Sequence, residues 1–480
     1  MKVSSLSRPL LIWLAAVAAH VPFAGAQQAA DTPPAPAQSA SHDAAQPAGK
    51  PPAPPPARLP DQPLLLDRLA QTAFEAKDYK EFVRIRRHHL NLRPFDQEVM
   101  IQLVVGNALL DDKPQAYTTM LNMQQQGLGV DFDAIPEVEN IRGTEVYSHI
   151  NVLLKGALEP YNNGAEVAFT LPENLLMPEA IVWDPRHEQF IVGTVREGKI
   201  VRLGRDGKPA AQPPPFAYDG RWSVLGLAVD AERRILWAST SALGQHVGYK
   251  NSDFGQSALL AFDLDSGQAR GEYRLAPDGN RHGLANLALA ADGTVYVADL
   301  RQPVVHVLKA GADQLTMLAG SGQLTNIRGL AVDDERGLLY IADREMGFAF
   351  WSDAEQRLFR PGLADNINLG GIEGLSRYPG GLLIVQNGIE PERVMALRLD
   401  DSGKAVRTAL PLAAALPEFR GPTFGTLADD GGFYFLAANH WSAYDIDGRR
   451  RPGTALDPVP VMKIDLAAAG ALEPLSTAVR

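Results

Sequence analysis

One short sequence pattern recurs between residues 178 and 466 of this 480-residue chain and constrains the fold more than any other feature. Each copy has an apolar run, a turn with acidic residues or glycine, and a second run in which apolar residues alternate, which is typical of a β-hairpin. Three copies align over sixteen positions without a gap, and the other three are shorter. The six copies are Glu179–Thr194, Leu225–Thr240, Ala285–Asp299, Arg328–Asp343, Glu373–Gln386 and Phe424–Ala438.

The spacing of these copies predicts a closed ring of repeated units. Successive copies begin about 40 to 60 residues apart, a period typical of propellers and repeat arrays. Six copies therefore predict a mainly β fold, a six-bladed β-propeller over residues 164–466. We expect the first residue of each copy to begin the innermost strand of a blade and to lie at the mouth of the central channel.

Composition excludes several classes of partner and chemistry. The net charge of −11 disfavours a nucleic-acid partner, because phosphate binding requires a basic face. The chain contains no cysteine, which excludes disulfides, thiolate metal sites and cysteine nucleophiles.

The first 26 residues have the pattern of a cleavable signal peptide. Lys2 and Arg8 give a basic start, Leu10–Ala19 is apolar, and Ala24–Ala26 provides small residues for cleavage. The apolar run is short for a bilayer span, so we expect no stable membrane insertion. We therefore predict an exported protein, periplasmic or secreted. Residues 27–60 are rich in proline and alanine, which predicts a disordered linker.

Residues 61–127 change to the apolar spacing of helices. The first apolar positions at three- and four-residue steps are Leu65, Leu69, Ala73 and Phe74. The spacing predicts two helical hairpins, followed by a bridge over residues 128–163. The residues that fit a known repeat pattern are Ala70, Lys77–Asp78–Tyr79, Leu90–Asn91–Leu92–Arg93–Pro94 and Gly106. On these residues the segment resembles the tetratricopeptide repeat, and the resemblance implies a unit that docks a protein or peptide partner.

Two hairpins are fewer than the three or so repeats that usually bury a self-sufficient core. We therefore expect the helical unit to dock on the propeller, on a second copy of the chain, or on a partner. Its basic run has two interpretations, a site for an acidic peptide or a solvated helix face. The run consists of Arg84, Arg86, Arg87, His88 and His89.

The propeller region carries family-like motifs beyond its hairpins. These motifs are Pro178–Asp184, Ala258–Gly267, the YVAD of Tyr296–Asp299 and the YIAD of Tyr340–Asp343. On these residues the region resembles the senescence-marker-protein-30/gluconolactonase superfamily, with some similarity to the yellow/royal-jelly proteins. The resemblance implies that a ring of Glu, Asn and Asp at the channel mouth holds a divalent cation, which polarises a lactone and activates water.

The predicted ring departs from that pattern. Its members are Glu179, Leu225, Ala285, Arg328, Glu373 and Phe424. Glu179 matches the first-blade glutamate of the family, Glu373 stands where the family has aspartate, and Arg328 stands where a ligand asparagine is expected. A cationic side chain between two carboxylates competes with a metal ion for their charge.

Three interpretations of this central-channel site follow. Arg328 neutralises Glu179 and Glu373 in a structural cluster, or the three line a pocket for a polar or anionic ligand. Alternatively Glu179 and Glu373 bind calcium or zinc, with Asn286 or Asn387 as a third ligand. We expect no organic cofactor, and a divalent cation only under the last interpretation.

Loops after the second strand of each blade are expected to emerge on the same face as this ring. The rim residues that they offer are Arg196, His246, Arg301, Arg344, Asn387 and His440. The long loop 241–257 predicts either a binding loop or a flexible excursion. Asp299 and Asp343 are candidate catalytic acids, but an aspartate at a strand end more often bonds its own turn.

Two functions are consistent with the sequence. The first is an exported binding propeller, whose helical unit docks a protein or peptide and whose funnel holds a small polar or anionic ligand. The alternative is a metal-dependent, lactonase-type hydrolase. Residues 467–480 are expected to form a C-terminal tail that frays.

Overall fold

The computed structural model describes residues 58–320, 322–363 and 367–472, which belong to one compact unit. The predicted signal peptide and nearly all of the predicted linker lie outside the described residues, as does the end of the predicted tail. Among the described helices, none has the length and apolar character that crossing a bilayer requires.

The helices predicted between residues 61 and 127 are present. They are α1 (Pro63–Glu75), α2 (Tyr79–Leu92), α3 (Gln97–Leu109) and α4 (Lys113–Gln125), and α5 (Glu145–Gly156) follows within the bridge. Aspartates cap the starts of three of them: Asp78, Asp96 and Asp112 each accept a hydrogen bond from a main-chain N–H three residues later. Such caps satisfy N–H groups that lack a partner inside the helix.

The buried face of α1 contains only some of the apolar residues that give the helical spacing. Leu65 and Leu69 are 44% and 42% exposed, whereas Leu66 and Ala70 are fully buried. The small Ala70 suits a close approach of α2, because large side chains would hold the two helices apart.

The basic run of α2 is also not a solvated face throughout. Arg86 and His89 are buried, and Arg86 donates to the Asp67 carboxylate of α1 at 2.5 Å. His89 lies 3.4 Å from the same carboxylate. A buried guanidinium needs such a partner, so these two side chains join α2 to α1.

The propeller has six blades, as predicted. Strands β1 (Tyr161–Asn162) and β2 (Ala165–Thr170) precede the first blade. Blade 1 contains β3 (Pro178–Asp184), β4 (Gln189–Thr194) and β5 (Ile200–Leu203). Blade 2 contains β6 (Ser223–Asp230), β7 (Ile235–Ser241), β8 (Ser257–Asp263) and β9 (Ala269–Tyr273). Blade 3 contains β10 (Leu284–Leu289), β11 (Val295–Asp299), β12 (Val304–Leu308) and β13 (Thr316–Gly320).

The remaining blades repeat the same antiparallel order. Blade 4 contains β14 (Ile327–Asp333), β15 (Leu338–Asp343), β16 (Gly347–Ser352) and β17 (Arg357–Phe359). Strand β18 (Gly362–Leu363) follows it. Blade 5 contains β19 (Ile372–Tyr378), β20 (Gly381–Gln386), β21 (Arg393–Leu399) and β22 (Ala405–Ala414), and β1 and β18 pair with β22. Blade 6 contains β23 (Gly425–Leu427), β24 (Gly432–Leu436) and β25 (Pro460–Asp465).

Blade 6 closes the ring with a strand from the other end of the propeller. Strand β2 pairs antiparallel with β25 and forms the outermost strand of this blade. The innermost strands contact one another around the ring, and β23 of blade 6 contacts β3 of blade 1. Closure by chain segments distant in sequence leaves the first and last blades protected at their edges.

The first residue of a sequence copy lies in a β-bulge in five blades. The pairing register skips from Pro178 to Ala180 in blade 1 and from Ile372 to Gly374 in blade 5. Equivalent shifts pass over Leu225, Ala285 and Arg328. The prediction that these residues begin the strands is therefore wrong by one or two residues. A bulge changes the direction of the side chain that it carries. The first residues of these five copies therefore have no directly paired residue on the neighbouring strand.

The residue after the bulge is glycine in several blades, because adjacent inner strands approach closely there. A Cβ atom on Gly226 would lie 2.6 Å from the carbonyl oxygen of Ala285 in the next blade. One on Gly374 would lie 2.7 Å from the carbonyl oxygen of Thr423. The ring of inner strands therefore depends on the absence of a side chain at these positions.

The helical unit packs on blade 5, the first of its three expected partners. Gln97 of α3 donates to the Glu390 carbonyl at 3.2 Å and accepts from the Glu390 N–H at 2.7 Å. Ile389 packs in the helical core.

The start of the predicted tail also packs, since Ala469 and Ala471 are buried in the core of blades 5 and 6. The expected fraying is therefore wrong for these residues.

Candidate functional site

The bulges of blades 1, 4 and 5 bring Glu179, Arg328 and Glu373 together at one end of the channel. Arg328 Nη1 lies 3.6 Å from Glu373 Oε1. Glu179 is close enough for the charges of both other groups to act on its pKa. The three residues predicted for the central-channel site thus form one cluster. Both glutamates are 6% exposed.

Glu373 has a closer ion-pair partner than Arg328. This partner is a residue that was predicted only as part of the rim. Arg344, which follows β15, forms an ion pair with Glu373 through its Nη1. The same nitrogen donates to Asn387 Oδ1 at 2.6 Å, and the Asn387 amide donates to the carbonyl of Pro422. Arg344 and Asn387 therefore belong to the central cluster.

Glu179 has a neutral partner instead of a cation. Trp441, which the sequence did not select, donates its indole N–H to Glu179 Oε2 at 2.7 Å. Burial raises the pKa of Glu179 to about 8, and the charge of Glu373 adds to this effect. The Trp441 hydrogen bond and the Arg328 charge oppose the rise. Glu179 is therefore mainly protonated at neutral pH and can donate a hydrogen bond.

Arg328 is less engaged than Arg344. Its side chain is 36% exposed and its ion pair with Glu373 is long, at 3.6 Å. Its Nε–H is buried and has no hydrogen-bond partner among the described residues. Since an unsatisfied buried donor is unfavourable, this guanidinium is poised to accept a further partner.

The opposite part of the mouth is apolar. Leu225 and Ala285, the bulge residues of blades 2 and 3, pack with Leu300 and with the ring of Trp441. The channel mouth therefore combines a charged side with an apolar wall, as is typical of sites for small organic ligands.

Two predicted rim residues and one candidate third metal ligand have structural roles in this fold. His440 accepts from the Met177 N–H at 3.1 Å and donates to the Asp457 carbonyl at 2.9 Å. His246 is buried and accepts from the Gly248 N–H, and burial lowers its pKa. Asn286 accepts from the Leu330 N–H across the blade interface. None of the three contacts the central cluster through these bonds.

The long loop 241–257 is anchored to its surroundings. Arg196 donates to the Gln245 carbonyl at 2.5 Å and lies over the ring of Tyr444. The guanidinium of Arg301 lies 4.5 Å from the ring centre of Phe254 in this loop. These contacts join the loop to the rim residues on both sides.

Asp299 and Asp343 bond their own turns, as expected. Asp299 Oδ1 accepts from the N–H groups of Arg301 and Gln302 at 2.8 and 3.2 Å. Asp343 Oδ1 accepts from those of Glu345 and Met346 at 3.1 and 3.0 Å. This part of the prediction is confirmed.

Asp299 also meets two histidines that the sequence did not select. Its Oδ2 lies 2.6 Å from His282 Nδ1 and 3.2 Å from His306 Nε2. The one available signal was the position of His306, a polar residue within the otherwise apolar run of β12. Imidazole and carboxylate groups are ligands for divalent transition metals.

The fold and these clusters define a six-bladed β-propeller with a docked helical unit. No protein-family model and no curated protein sequence matches the chain. Among solved structures, a gluconolactonase from Xanthomonas campestris is similar at 17% identity, with 56% of this chain and 86% of that one covered and a TM-score of 0.41.

Two further solved propellers are similar to the same extent. A PQQ-bound aldose sugar dehydrogenase from Streptomyces coelicolor is 14% identical, with 64% of this chain and 99% of that one covered and a TM-score of 0.41. A chain of a nidogen/laminin complex is 16% identical, with 58% and 98% covered and a TM-score of 0.40. Similarities this distant carry no argument about activity, ligand or partner.

Proposed function

We propose that this chain is an exported binding protein whose propeller holds a small organic anion at the channel mouth. The observation that carries this proposal is Arg328. Its guanidinium lies in the central cluster, its Nε–H lacks a partner among the described residues, and its carboxylate neighbour Glu373 is already paired with Arg344. A guanidinium with unused donors recognises a carboxylate through two parallel hydrogen bonds.

The other groups of the site suit the same ligand. Protonated Glu179 can donate a hydrogen bond to a carboxylate or hydroxyl oxygen, since burial raises its pKa to about 8. The apolar wall formed by Leu225, Ala285 and Trp441 favours a ligand with a carbon skeleton. A small hydroxycarboxylate fits this combination of groups.

Support for a second binding surface comes from the helical unit. Leu64, Leu65 and Leu69 of α1 are 43%, 44% and 42% exposed, and clustered exposed leucines are typical of contact surfaces. We propose that α1 contributes to a protein partner site, and that residues 1–26 direct export.

The ligand site is tested with lactate, malate and citrate as probes. We expect at least one to raise the melting temperature of the wild-type protein and to give a saturable signal by calorimetry at neutral pH. Arg328→Gln should weaken this binding at least about tenfold, because the loss of a charged hydrogen bond typically costs about 1.5 to 3 kcal/mol.

The matched control is Arg336→Gln, in the same blade. Arg336 pairs with Asp333 at 2.8 Å and lies in the turn between β14 and β15, at the opposite end of the blade from the bulge. Its substitution should leave binding unchanged. Equal affinity of the wild type and the Arg328 variant would contradict the proposal, as would the failure of all three acids to bind.

A metal-dependent lactonase is the second candidate, and one observation favours it. Glu179 and Glu373 lie close enough for the charge of one to raise the pKa of the other, and a divalent cation would relieve this repulsion. Against it, Glu373 and Asn387 are both held by Arg344, so a cation would have to displace that guanidinium.

Metal analysis separates the two candidates. A lactonase of this kind should contain stoichiometric calcium or zinc that is lost in Glu179→Gln, and it should hydrolyse simple lactones only while loaded. The anion-binding proposal expects ligand binding that is unchanged by a chelator.

A further inference from the structure

We propose that His282, Asp299 and His306 form a binding site for a divalent transition metal of the zinc type. The site lies in blade 3 and uses none of the residues of the central cluster. It is therefore independent of the proposed function, and either one can fail without the other.

The three side chains already converge. Each offers one ligand atom, and these atoms all lie within 4.8 Å of one another. Asp299 Oδ2 is 2.6 Å from His282 Nδ1 and 3.2 Å from His306 Nε2. Because zinc–ligand bonds are about 2.1 Å long, ligand atoms around a tetrahedral ion lie about 3.4 Å apart. Small side-chain movements would thus admit an ion in place of the protons that these atoms share.

His282 is oriented as a metal ligand usually is. Asp278 Oδ1 lies 3.1 Å from His282 Nε2, so Nε2 can hold the proton while Nδ1 faces Asp299. A carboxylate that orients a ligating histidine in this way is a recurrent feature of zinc sites. The His282 and His306 rings are nearly perpendicular, with centres 5.4 Å apart, so two different directions of approach are provided.

His306 is buried beside Asp299. It is 4% exposed, within an apolar strand, and its Nδ1 is buried with no hydrogen-bond partner among the described residues. A buried imidazole with one unsatisfied nitrogen is unfavourable for stability alone. Its Nε2, which faces Asp299, is therefore the ring nitrogen through which it contacts a polar group.

Blade 4 provides an internal comparison. Asp343 occupies the position of Asp299, at the end of the same motif, and there the hydroxyl and N–H of Thr325 satisfy the carboxylate at 2.7 and 2.6 Å. In blade 4 the strand partner of Ile341 is Ala349, whereas in blade 3 the partner of the equivalent Val297 is His306. The aspartate at this turn can therefore be satisfied without any imidazole. In blade 3, by contrast, two imidazoles contact the equivalent aspartate.

The donor set limits what the site can hold. Asp299 Oδ1 is committed to main-chain N–H groups, which leaves Oδ2 as a single ligand atom. Two imidazoles and one carboxylate oxygen suit zinc, cobalt or nickel better than calcium, which prefers six to eight oxygens. Three protein ligands leave one tetrahedral position for water or another small ligand.

Titration of the full-length, metal-stripped protein with Co²⁺ tests the proposal. We expect one equivalent to bind, with the visible absorption of a four-coordinate site, and Zn²⁺ to displace it. His282→Gln and His306→Gln should each weaken binding at least about tenfold, and Asp278→Asn by about 10- to 100-fold, as is typical for the orienting partners of metal ligands.

Two controls make the result interpretable. His149→Gln removes an exposed histidine of α5 and should leave binding unchanged. Asp278 is 47% exposed, so Asp278→Asn tests the site even if the buried His306 variant fails to fold. Circular dichroism melts report folding.

Several results would overturn the inference. They are the absence of stoichiometric binding, equal affinity of the wild type and the His282 and Asp278 variants, and loss of binding in Glu179→Gln with retention in His282→Gln. The last result would place the ion in the channel instead.

Discussion

Glu179 and Glu373 show how two residues of one type at equivalent positions acquire different partners. Both lie in a β-bulge of an innermost strand and both are 6% exposed. Glu373 is paired with two guanidinium groups, those of Arg328 and Arg344. Glu179 receives one neutral hydrogen bond, from Trp441. The site therefore presents a carboxylate that is paired with two guanidinium groups beside a carboxylic acid that can still donate a hydrogen bond.

This difference predicts an unusual dependence of stability on pH. The pKa of Glu179 is raised in the folded protein from 4.5 to about 8, so the folded state binds the proton more tightly than the unfolded state does. The contribution of Glu179 to stability should therefore fall as pH rises from about 4.5, and the loss should be complete above about pH 8. Glu179→Gln removes this titration. We expect urea unfolding to show the variant gaining stability relative to the wild type between pH 5 and pH 8.

The control for this titration is Glu173→Gln, an exposed glutamate on the approach to the same blade. Its unfolding free energy should follow the wild type across the pH range. If the Glu179 variant also remained parallel to the wild type, the carboxyl group would not be held protonated by burial.

At the scale of elements, the repeated pattern predicted the inner hairpin of every blade because alternation and turn composition are local properties. The bulges were not predicted, because an extra residue in one strand can be recognised only from its pairing with the neighbouring strand. The outermost strand of blade 6 was also missed, because β2 and β25 are joined only by the closed ring.

The central cluster was predictable only in part, because the repeated pattern specifies local hairpins and not the loops that pack around them. Glu179, Arg328 and Glu373 share one position of the repeat, so register alone brings them together. Trp441 and the pairing role of Arg344 come from loops after second strands, whose paths the pattern does not specify. His282 and His306 come from a blade connection and from a third strand, and only three-dimensional packing unites them with Asp299.

One buried cation of β21 contributes to the junction between the helices and blade 5. Arg393 is 5% exposed, and burial lowers its pKa to about 10, so it remains charged at neutral pH. It donates to Gln386 Oε1 at 2.7 Å and to the carbonyls of Gln126 and Gly127, both at 3.2 Å. These carbonyls lie just after the last residue of α4, where a cation is favourable.

We predict that Arg393→Met lowers the free energy of unfolding by about 3 kcal/mol, because several charge-assisted hydrogen bonds are lost together. Limited proteolysis should then cut first between α4 and α5, since the helical unit would detach more often from blade 5. Arg407→Met on the neighbouring strand β22 is the control, because Arg407 is 62% exposed and its ion pair with Asp400 is long. Equal protease resistance of the two variants would contradict this role for Arg393.

At the scale of the whole molecule, the ring of blades is closed where β2 pairs with β25 of blade 6. Strand β2 joins blade 6 before the chain enters blade 1, so the two blades share a segment of chain as well as an interface. Phe169 of β2 is 6% exposed and contacts Phe190 of blade 1, with ring centres 5.2 Å apart. It also belongs to the apolar cluster that contains Tyr434 of blade 6. One side chain thus joins the first and last blades.

Phe169→Ala should therefore loosen the ring at one place before it unfolds elsewhere. We expect a loss of about 3 to 5 kcal/mol, the usual cost of truncating a buried phenylalanine. Native-state hydrogen exchange should accelerate first in blades 1 and 6, because they lose both packing and closure, and partial openings follow such cooperative units. Phe359→Ala removes a ring from the outermost strand of blade 4, where it stacks on Phe350, and its effect should stay near that blade. If Phe169→Ala accelerated exchange as much in blades 3 and 4 as in blades 1 and 6, closure by β2 would not be the weak point of the ring.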